Sequence, residues 1–176
     1  MNLKQFIIII LTFFLFFNNA NAEKVVYANM DFIIKNSEVG KKIITYFSKK
    51  NETLIDNIKS NEVKLKDKEN NLIAQKNILD EKEYIKKVDF LKLEIKEFNE
   101  NNTKQINQIN LEREQVSKEF INEIRKIINV FAENNNIDLV LSSSQILIGK
   151  NNLDVTNDIL KLVNDKIKNF EIKINE

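Results

Sequence analysis

The apolar residues divide the chain into an apolar start, two long helical stretches and a mixed end. Residues 6–17 are apolar except for Thr12, follow the positive charge of Lys4 and precede the small-x-small pattern Ala20-Asn21-Ala22. These features together are typical of a secretory signal. The apolar run is too short to span a membrane, which takes about 20 residues. We therefore predict that residues 1–22 are a signal peptide that is cleaved after Ala22.

Short runs of apolar and β-favouring residues predict three strands near the two ends of the mature chain. Residues 24–30 form the first strand, and residues 137–141 and 146–148 form a hairpin on either side of Ser142-Ser143-Ser144-Gln145. Asp154 is assigned to the start of a last helix, with Thr156 as its expected N-cap. The apolar residues of this helix are Ile159, Val163, Ile167, Phe170 and Ile174.

Two long helices are predicted between these ends. Ser37 is a suitable N-cap for the first helix, and Asp80 followed by Glu83 has the capping-box spacing for the second. In the first helix, heptad position d is polar beyond Leu54, so we expect a narrow and loosely packed seam in its outer half. Position a carries Ile44, Asn51, Ile58, Leu65, Leu72 and Leu79, and position d carries Phe47, Leu54, Asn61, Lys68 and Gln75.

Folding the two helices back on each other about Asp80 places Ile58 opposite Asn102 and Asn61 opposite Asn99. Each helix has about 40 residues and a length of about 60 Å at 1.5 Å per residue. The polar stretches 57–61 and 99–107 lie at the same height, which predicts a bend or hinge halfway along the hairpin. A straight coiled coil with a few polar seam positions is the alternative.

These elements predict an α+β fold in which a small β body carries a long coiled-coil hairpin arm. Residues 23–37 and 132–176 form the β-rich oligomerisation body with its C-terminal helix, and residues 38–131 form the arm, with its tip near residue 80. Three short strands and one helix bury too little surface to support so long an arm. Because lone strand edges also favour association, we expect several copies to pair their strands into a shared sheet or barrel.

The composition removes most routes to catalysis. The chain has no Cys and no His, which excludes disulfides, thiolate metal sites and the commonest general base. Its two glycines, Gly40 and Gly149, are too far apart to form a phosphate-binding loop. We predict no catalytic, cofactor or metal site, and an enzyme is the least favoured class. Without Lys4 the chain has 26 basic and 26 acidic residues, which argues against nucleic acid as a partner.

Apolar side chains that lie off the predicted seam are the candidate binding residues. Single exposed apolar residues are normal in soluble proteins. Several of them on one exported arm could offer weak, sequence-tolerant contacts to an unfolded chain. The candidates are Ile55, Val63, Ile73, Phe90 and Leu93.

Both ends of the mature chain resemble the Skp/OmpH family of periplasmic chaperones, whereas the arm between them is a generic coiled coil. The opening resemblance covers residues 25–30, then Asp31-Phe32-Ile33-Ile34 and Ser37-Glu38-Val39-Gly40-Lys41-Lys42. The closing resemblance covers Ala132-Glu133-Asn134-Asn135-Asn136-Ile137-Asp138-Leu139-Val140-Leu141, Leu153-Asp154-Val155-Thr156 and Ile159-Leu160-Lys161-Leu162-Val163-Asn164.

The resemblance implies a homotrimer with a small β-barrel body and three helical arms around a cavity. In this family the cavity holds unfolded outer-membrane proteins in the periplasm without ATP. The expected function is therefore that of a holdase, and the alternative is a structural or adaptor coiled coil that binds one folded envelope partner. Family members are often strongly basic, whereas this chain is neutral. Beyond Lys86-Lys87 no basic cluster is found, so contact with lipopolysaccharide or a membrane is not assigned.

Overall fold

A computed structural model describes residues 23–172, and the predicted signal peptide lies outside this range. The described part is mostly helical, with one small sheet and two long helices that pack side by side as an arm. Its elements are β1 Val25–Ala28, α1 Met30–Asn36, α2 Glu38–Ala74, α3 Glu81–Asn134, β2 Leu139–Ser142 and α4 Thr156–Lys166, with 3-10 turns at Ser143–Gln145 and Asn151–Leu153. We call the part built from β1, α1, β2 and α4 the body.

The first strand is shorter than predicted. β1 ends at Ala28, and Met30 begins the helix α1, so the prediction of a strand through Met30 was wrong. The reason is local, because the side chain of Asn29 accepts a hydrogen bond from the Phe32 backbone N–H at 2.9 Å and caps α1. The short helix places Ile33 in the core, where its side chain is fully buried.

Both predicted caps of the arm helices are confirmed. Ser37 Oγ accepts a hydrogen bond from the Gly40 backbone N–H at 3.1 Å, and Asp80 Oδ1 accepts one from the Glu83 backbone N–H at 2.9 Å. Acidic residues in the first turn of α3 further stabilise that end through the helix dipole. Since α2 already ends at Ala74, a turn over residues 75–79 connects it to the cap of α3.

The seam of α2 narrows towards the tip as predicted. Beyond Leu54 the position-a residues are half-buried or buried, whereas the position-d residues Asn61 and Lys68 are exposed. At the base, however, Ile44 is half exposed and its neighbour Ile43 is buried, so the assignment of Ile44 to the seam was wrong. Here α2 packs against α1 as well as α3, and this second neighbour shifts the buried stripe by one residue.

The two arm helices meet in two matching contact layers. The proximal layer contains Lys50, Leu54, Ile109 and Glu112, and the distal layer contains Lys68, Leu72, Leu91 and Glu94. Each residue of one layer lies 18 positions from its counterpart in the other, which is about five turns at 3.6 residues per turn. The hydrogen bond of Lys68 to Glu94 also shows that the predicted register was wrong by two residues.

The interval between the two layers is mostly polar on α3 and less buried than the layers themselves. Residues 99–108 are all exposed except for the half-buried Asn102. Both α2 and α3 continue unbroken through this interval, so the polar stretches do not end either helix. The 18-residue repeat follows the period of a straight helix, which favours the straight alternative over a hinge.

The predicted hairpin of residues 137–141 and 146–148 is wrong. β2 instead pairs in parallel with β1, from Val25 beside Leu139 to Ala28 beside Ser142. Residues 146–148 contain no strand, and the side chains of Leu147 and Ile148 are 96% and 90% exposed. β2 pairs with β1 through one edge, and the run after Gln145 turns away without pairing with either strand.

The start of α4 ties it to the first strand. Asp154 accepts a hydrogen bond from the Thr156 backbone N–H at 2.9 Å, which confirms its role at the helix start. Thr156 is not the N-cap as predicted, because Val155 takes that position. The Thr156 hydroxyl instead accepts a hydrogen bond from the Asn29 backbone N–H at 2.9 Å, and so α4 is joined to the end of β1.

The last helix is shorter than predicted. α4 ends at Lys166, so Ile167 and Phe170 lie beyond it, and Ile174 lies outside the described residues. The ring of Phe170 packs edge-on against Phe120 of α3, with 5.4 Å between their centroids. The body core thus draws fully buried side chains from three helices, namely Ile33, Phe120, Ile124, Ile159 and Val163. This core anchors the base of the arm.

Candidate binding surfaces of the arm

The five candidate residues are all exposed in the structure, each by half or more of its side-chain area. They are Ile55, Val63, Ile73, Phe90 and Leu93. Their positions on the two helices show that they do not share one surface. The arm has two flanks, one on either side of the α2–α3 seam, and an outer face on each helix that points away from its partner.

One side of the seam, which we call the bridged flank, carries polar contacts between the helices. Lys50 donates a hydrogen bond to Glu112, Lys68 Nζ donates to Glu94 at 2.6 Å, and Lys87 Nζ donates to Gln75 at 3.2 Å. The first two pairs repeat after 18 residues in both helices and therefore lie on the same face. Phe90 lies among the residues of the distal bridges, beside Lys68, Lys87 and Glu94.

The other side, which we call the cleft flank, has an apolar cleft of about 440 Å³ at the base of the arm. Ile34, Ile43, Phe47 and Phe120 form its floor, and Ile44 and Ile121 form its walls, with Ser48, Asn51, Arg113 and Ser117 at its polar edge. Arg113 lies over the ring of Phe47, with its guanidinium carbon 5.7 Å from the ring centroid. No acidic residue lines this cleft.

The five candidates divide among these surfaces. Ile55 lies 11 residues from Ile44 and Ile73 lies 18 residues beyond Ile55, spacings that return to the same face of a helix, so both belong to the cleft flank. Val63 is nine residues from the buried Leu54 and faces away from α3. Leu93 points outward on α3 in the same way, whereas Phe90 belongs to the bridged flank. The structure therefore brings only Ile55 and Ile73 onto one face.

Sequence reasoning missed the cleft itself. Its floor depends on the packing of α1 and the body core against the arm, which no local pattern reveals. One signal was available, because the chain has only two arginines, Arg113 and Arg125, among its 27 basic residues. An arginine in a lysine-rich chain marks a position where a planar, aromatic-stacking cation is suited, and one of the two lies over Phe47.

Glu112 is the most buried charged residue of the arm, with 9% of its side chain exposed. The hydrogen bond from Lys50 lowers the pKa of the Glu112 carboxyl below its usual range, although burial acts in the opposite direction. A hydrogen bond from Gln108 Nε2 at 3.1 Å supports the ionised form. The proximal layer is therefore held by a charged pair whose strength depends on pH.

Replacing Lys50 by Met should lower the free energy of unfolding at pH 7 by about 1 kcal/mol, since Glu112 loses a charge-assisted hydrogen bond. Because the folded pKa of Glu112 is lowered, the bridge stabilises the fold above the ordinary glutamate pKa of about 4.3 and stops doing so as the pH falls through the folded value. The difference between variant and wild type should shrink below about pH 4. Urea unfolding of both proteins at pH 7 and pH 3 measures this difference in the free energy of unfolding.

Lys126→Met is the matched control for this prediction. Lys126 pairs with Glu123 on the exposed surface of α3, where an ion pair contributes less than about 1 kcal/mol. Its effect should be small at both pH values. An equal loss of stability in the two variants would contradict the special role of the Lys50–Glu112 bridge.

Among residues 23–172, no group of three or more His, Cys, Asp or Glu side chains is placed to hold a metal ion. No helix in the same range combines the length and apolar character needed to cross a bilayer. The exposed surface of the arm carries apolar side chains, lysines, carboxylates and the stacked Arg113.

Comparison with known proteins agrees with this architecture. The chain is similar in fold to an OmpH-like protein from Caulobacter crescentus CB15, a candidate outer membrane chaperone, with a TM-score of 0.80 and 11% sequence identity. The match covers 88% of this chain and 92% of the other. No curated protein matches the chain. A family model described as outer membrane protein (OmpH-like) matches residues 24–163, and the chain therefore belongs to the OmpH-like family.

Proposed function

We propose that this protein is an ATP-independent holdase that binds unfolded outer-membrane proteins in the periplasm and prevents their aggregation. The observation that carries the proposal is a long two-helix arm on a small body, with exposed apolar side chains distributed over its length. Contacts of this kind are individually weak and tolerate many client sequences. The family of the chain, the outer membrane chaperone that shares its fold and the predicted secretory signal all support the same role.

We further propose that the holdase is a homotrimer whose bodies share a β-barrel. The body of one chain has a single two-stranded sheet among its described residues, which is little support for an arm of two long helices. Leu147 and Ile148 are almost fully exposed next to this sheet. Burying such side chains and pairing the outer edge of β2 would both favour association.

Dilution of a urea-unfolded outer-membrane β-barrel protein into buffer, with and without the mature protein and without ATP, tests the proposal. Suppressed light scattering at about one trimer per client is the expected result. Multi-angle light scattering gives the oligomer mass in the same samples. No suppression at a severalfold excess would contradict the holdase function and favour the adaptor alternative, in which one folded partner is bound and unfolded chains are ignored.

The double variant Phe90→Ser and Leu93→Ser should weaken client binding while leaving the helix content intact. Both side chains are more than half exposed, so their loss removes apolar contacts to a client and little internal packing. We expect the dissociation constant to rise about threefold to tenfold, given the roughly 25 cal/mol per Å² that apolar burial contributes. Fluorescence titration with a labelled unfolded client measures the constant, and circular dichroism measures the helix content.

A charge-neutral control keeps this test specific. Glu97→Ser with Lys104→Ser alters two exposed polar residues of the same helix and should leave client affinity unchanged. Equal affinities for wild type and the Phe90/Leu93 double variant would remove these two residues from the binding surface.

A further inference from the structure

The two flanks differ in whether their cationic side chains are paired with carboxylates. On the bridged flank, Lys50 and Lys68 already pair with carboxylates of the opposite helix. Arg113 forms no ion pair with any described residue, and no Asp or Glu lines the cleft beside it. A stacked guanidinium therefore lies at the edge of an apolar cavity without an ion-pair partner among the described residues.

The cavity has the size and lining of a site for one large side chain. Its volume of about 440 Å³ falls within the range of about 300–1,000 Å³ that small ligands occupy. Phe47 and Phe120 supply aromatic surface, and Ile44, half exposed, leaves the wall open to solvent. The hydroxyls of Ser48 and Ser117 and the amide of Asn51 stand with Arg113 at the edge.

The chemistry that complements this arrangement is an apolar group joined to a carboxylate. The apolar group fills the cleft, while the carboxylate stays at the solvent edge and accepts hydrogen bonds from the guanidinium fork. Ile55 lies on the same face about three turns above Ile44, so the apolar surface continues up the arm. An extended polypeptide follows such a path, whereas a compact ligand would use only the cleft.

We propose that this cleft binds a segment of an unfolded client in which a large apolar residue is followed by an acidic residue, with Arg113 pairing to the carboxylate. The inference rests on the proposed holdase function and gives it a sequence preference. The arm then combines a site of moderate selectivity at its base with less selective apolar contacts further out.

The test uses the full mature protein and three fluorescein-labelled peptides with the same Gly/Ser-rich flanks. One contains Phe-Asp, one Phe-Asn and one Ala-Asp. We expect the Phe-Asp peptide to bind the wild type about threefold more tightly than the Phe-Asn peptide, as one exposed ion pair allows, and more tightly than the Ala-Asp peptide.

Substitutions in the cleft test whether it is the source of the preference for the Phe-Asp peptide. Arg113→Gln should abolish the discrimination between Phe-Asp and Phe-Asn, and Ile44→Asn should weaken both Phe peptides to the level of Ala-Asp. Arg125→Gln, which makes the same chemical change on an exposed arginine outside the cleft, is the matched control and should keep the full discrimination. Equal binding of the Phe-Asp and Phe-Asn peptides to wild type, or unchanged discrimination in Arg113→Gln, would overturn the inference.

Three further measurements separate this inference from its alternatives. An altered oligomer mass of Arg113→Gln or Ile44→Asn would show that the cleft is an interface between copies, and binding of laurate without binding of any peptide would show a lipid site. Either result overturns the proposal. Suppressed aggregation of an unfolded β-barrel protein by wild type and by both variants alike would leave the holdase function standing and reject the cleft alone.

Discussion

Replacing Phe120 by Ala lowers the free energy of unfolding by about 3–5 kcal/mol, the usual cost of emptying a buried phenylalanine site. The ring is 1% exposed and contacts Phe170, which lies beyond the end of α4. Its loss leaves a cavity where α3 meets the body, and it also frees the chain segment that follows α4. Urea unfolding followed by circular dichroism, at one fixed protein concentration because the protein is expected to associate, measures the change.

Phe90→Ala is the matched control, since it makes the same chemical change on a side chain that is 63% exposed. Its effect on the free energy of unfolding should remain within about 0.5 kcal/mol. If both variants lost the same stability, the cooperative core would extend along the arm and not be concentrated in the body.

Gly40→Ala is expected to destabilise the protein by about 3 kcal/mol, at the upper end of the cost of overpacking. Helix propensity alone predicts the opposite sign, a gain of about 1 kcal/mol for alanine inside a helix. Steric overlap outweighs this gain, because a Cβ at this position would lie 1.6 Å from the Ile34 carbonyl oxygen and 2.8 Å from Ser37 Oγ. The close approach of α1 to the first turn of α2 therefore requires glycine.

Ser60→Ala separates the effect of helix propensity from the effect of steric overlap. Ser60 is exposed in the middle of α2, so the substitution changes helix propensity without a steric clash and should alter stability by less than about 0.5 kcal/mol. Thermal unfolding of Gly40→Ala, Ser60→Ala and wild type at equal concentration makes the comparison. A stability of Gly40→Ala equal to or above that of wild type would contradict the tight contact between α1 and α2.

Local features of the fold were predictable from the sequence. The caps Ser37 and Asp80 depend on hydrogen bonds to residues three positions away, so the short pattern around each contains the necessary information. The same holds for Asp154 at the start of α4. The narrowing seam of α2 followed from heptad positions, since polar residues such as Asn61 cannot be buried between two helices without a partner.

Features that depend on distant residues were not predictable in this way. The apolar run at residues 146–148 resembles a strand, but whether it pairs depends on β1, which lies more than 100 residues away and is already paired with β2. Ile44 lies outside the predicted seam because α2 packs against α1 as well as α3 at the base of the arm. Exposure of the five candidate residues followed from the heptads, whereas their division among the two flanks and the outer faces required the register given by Lys68 and Glu94.

The two contact layers, set five turns apart, also define the mechanics of the arm. Two helices that are packed along their whole length resist bending together. Helices that are packed tightly only at two points bend more independently between those points. The interval around Asn102 is held only by half-buried side chains such as Ile58, Leu65 and Phe98. We therefore expect the arm to bow more easily in this interval than at the two layers, without a break in either helix.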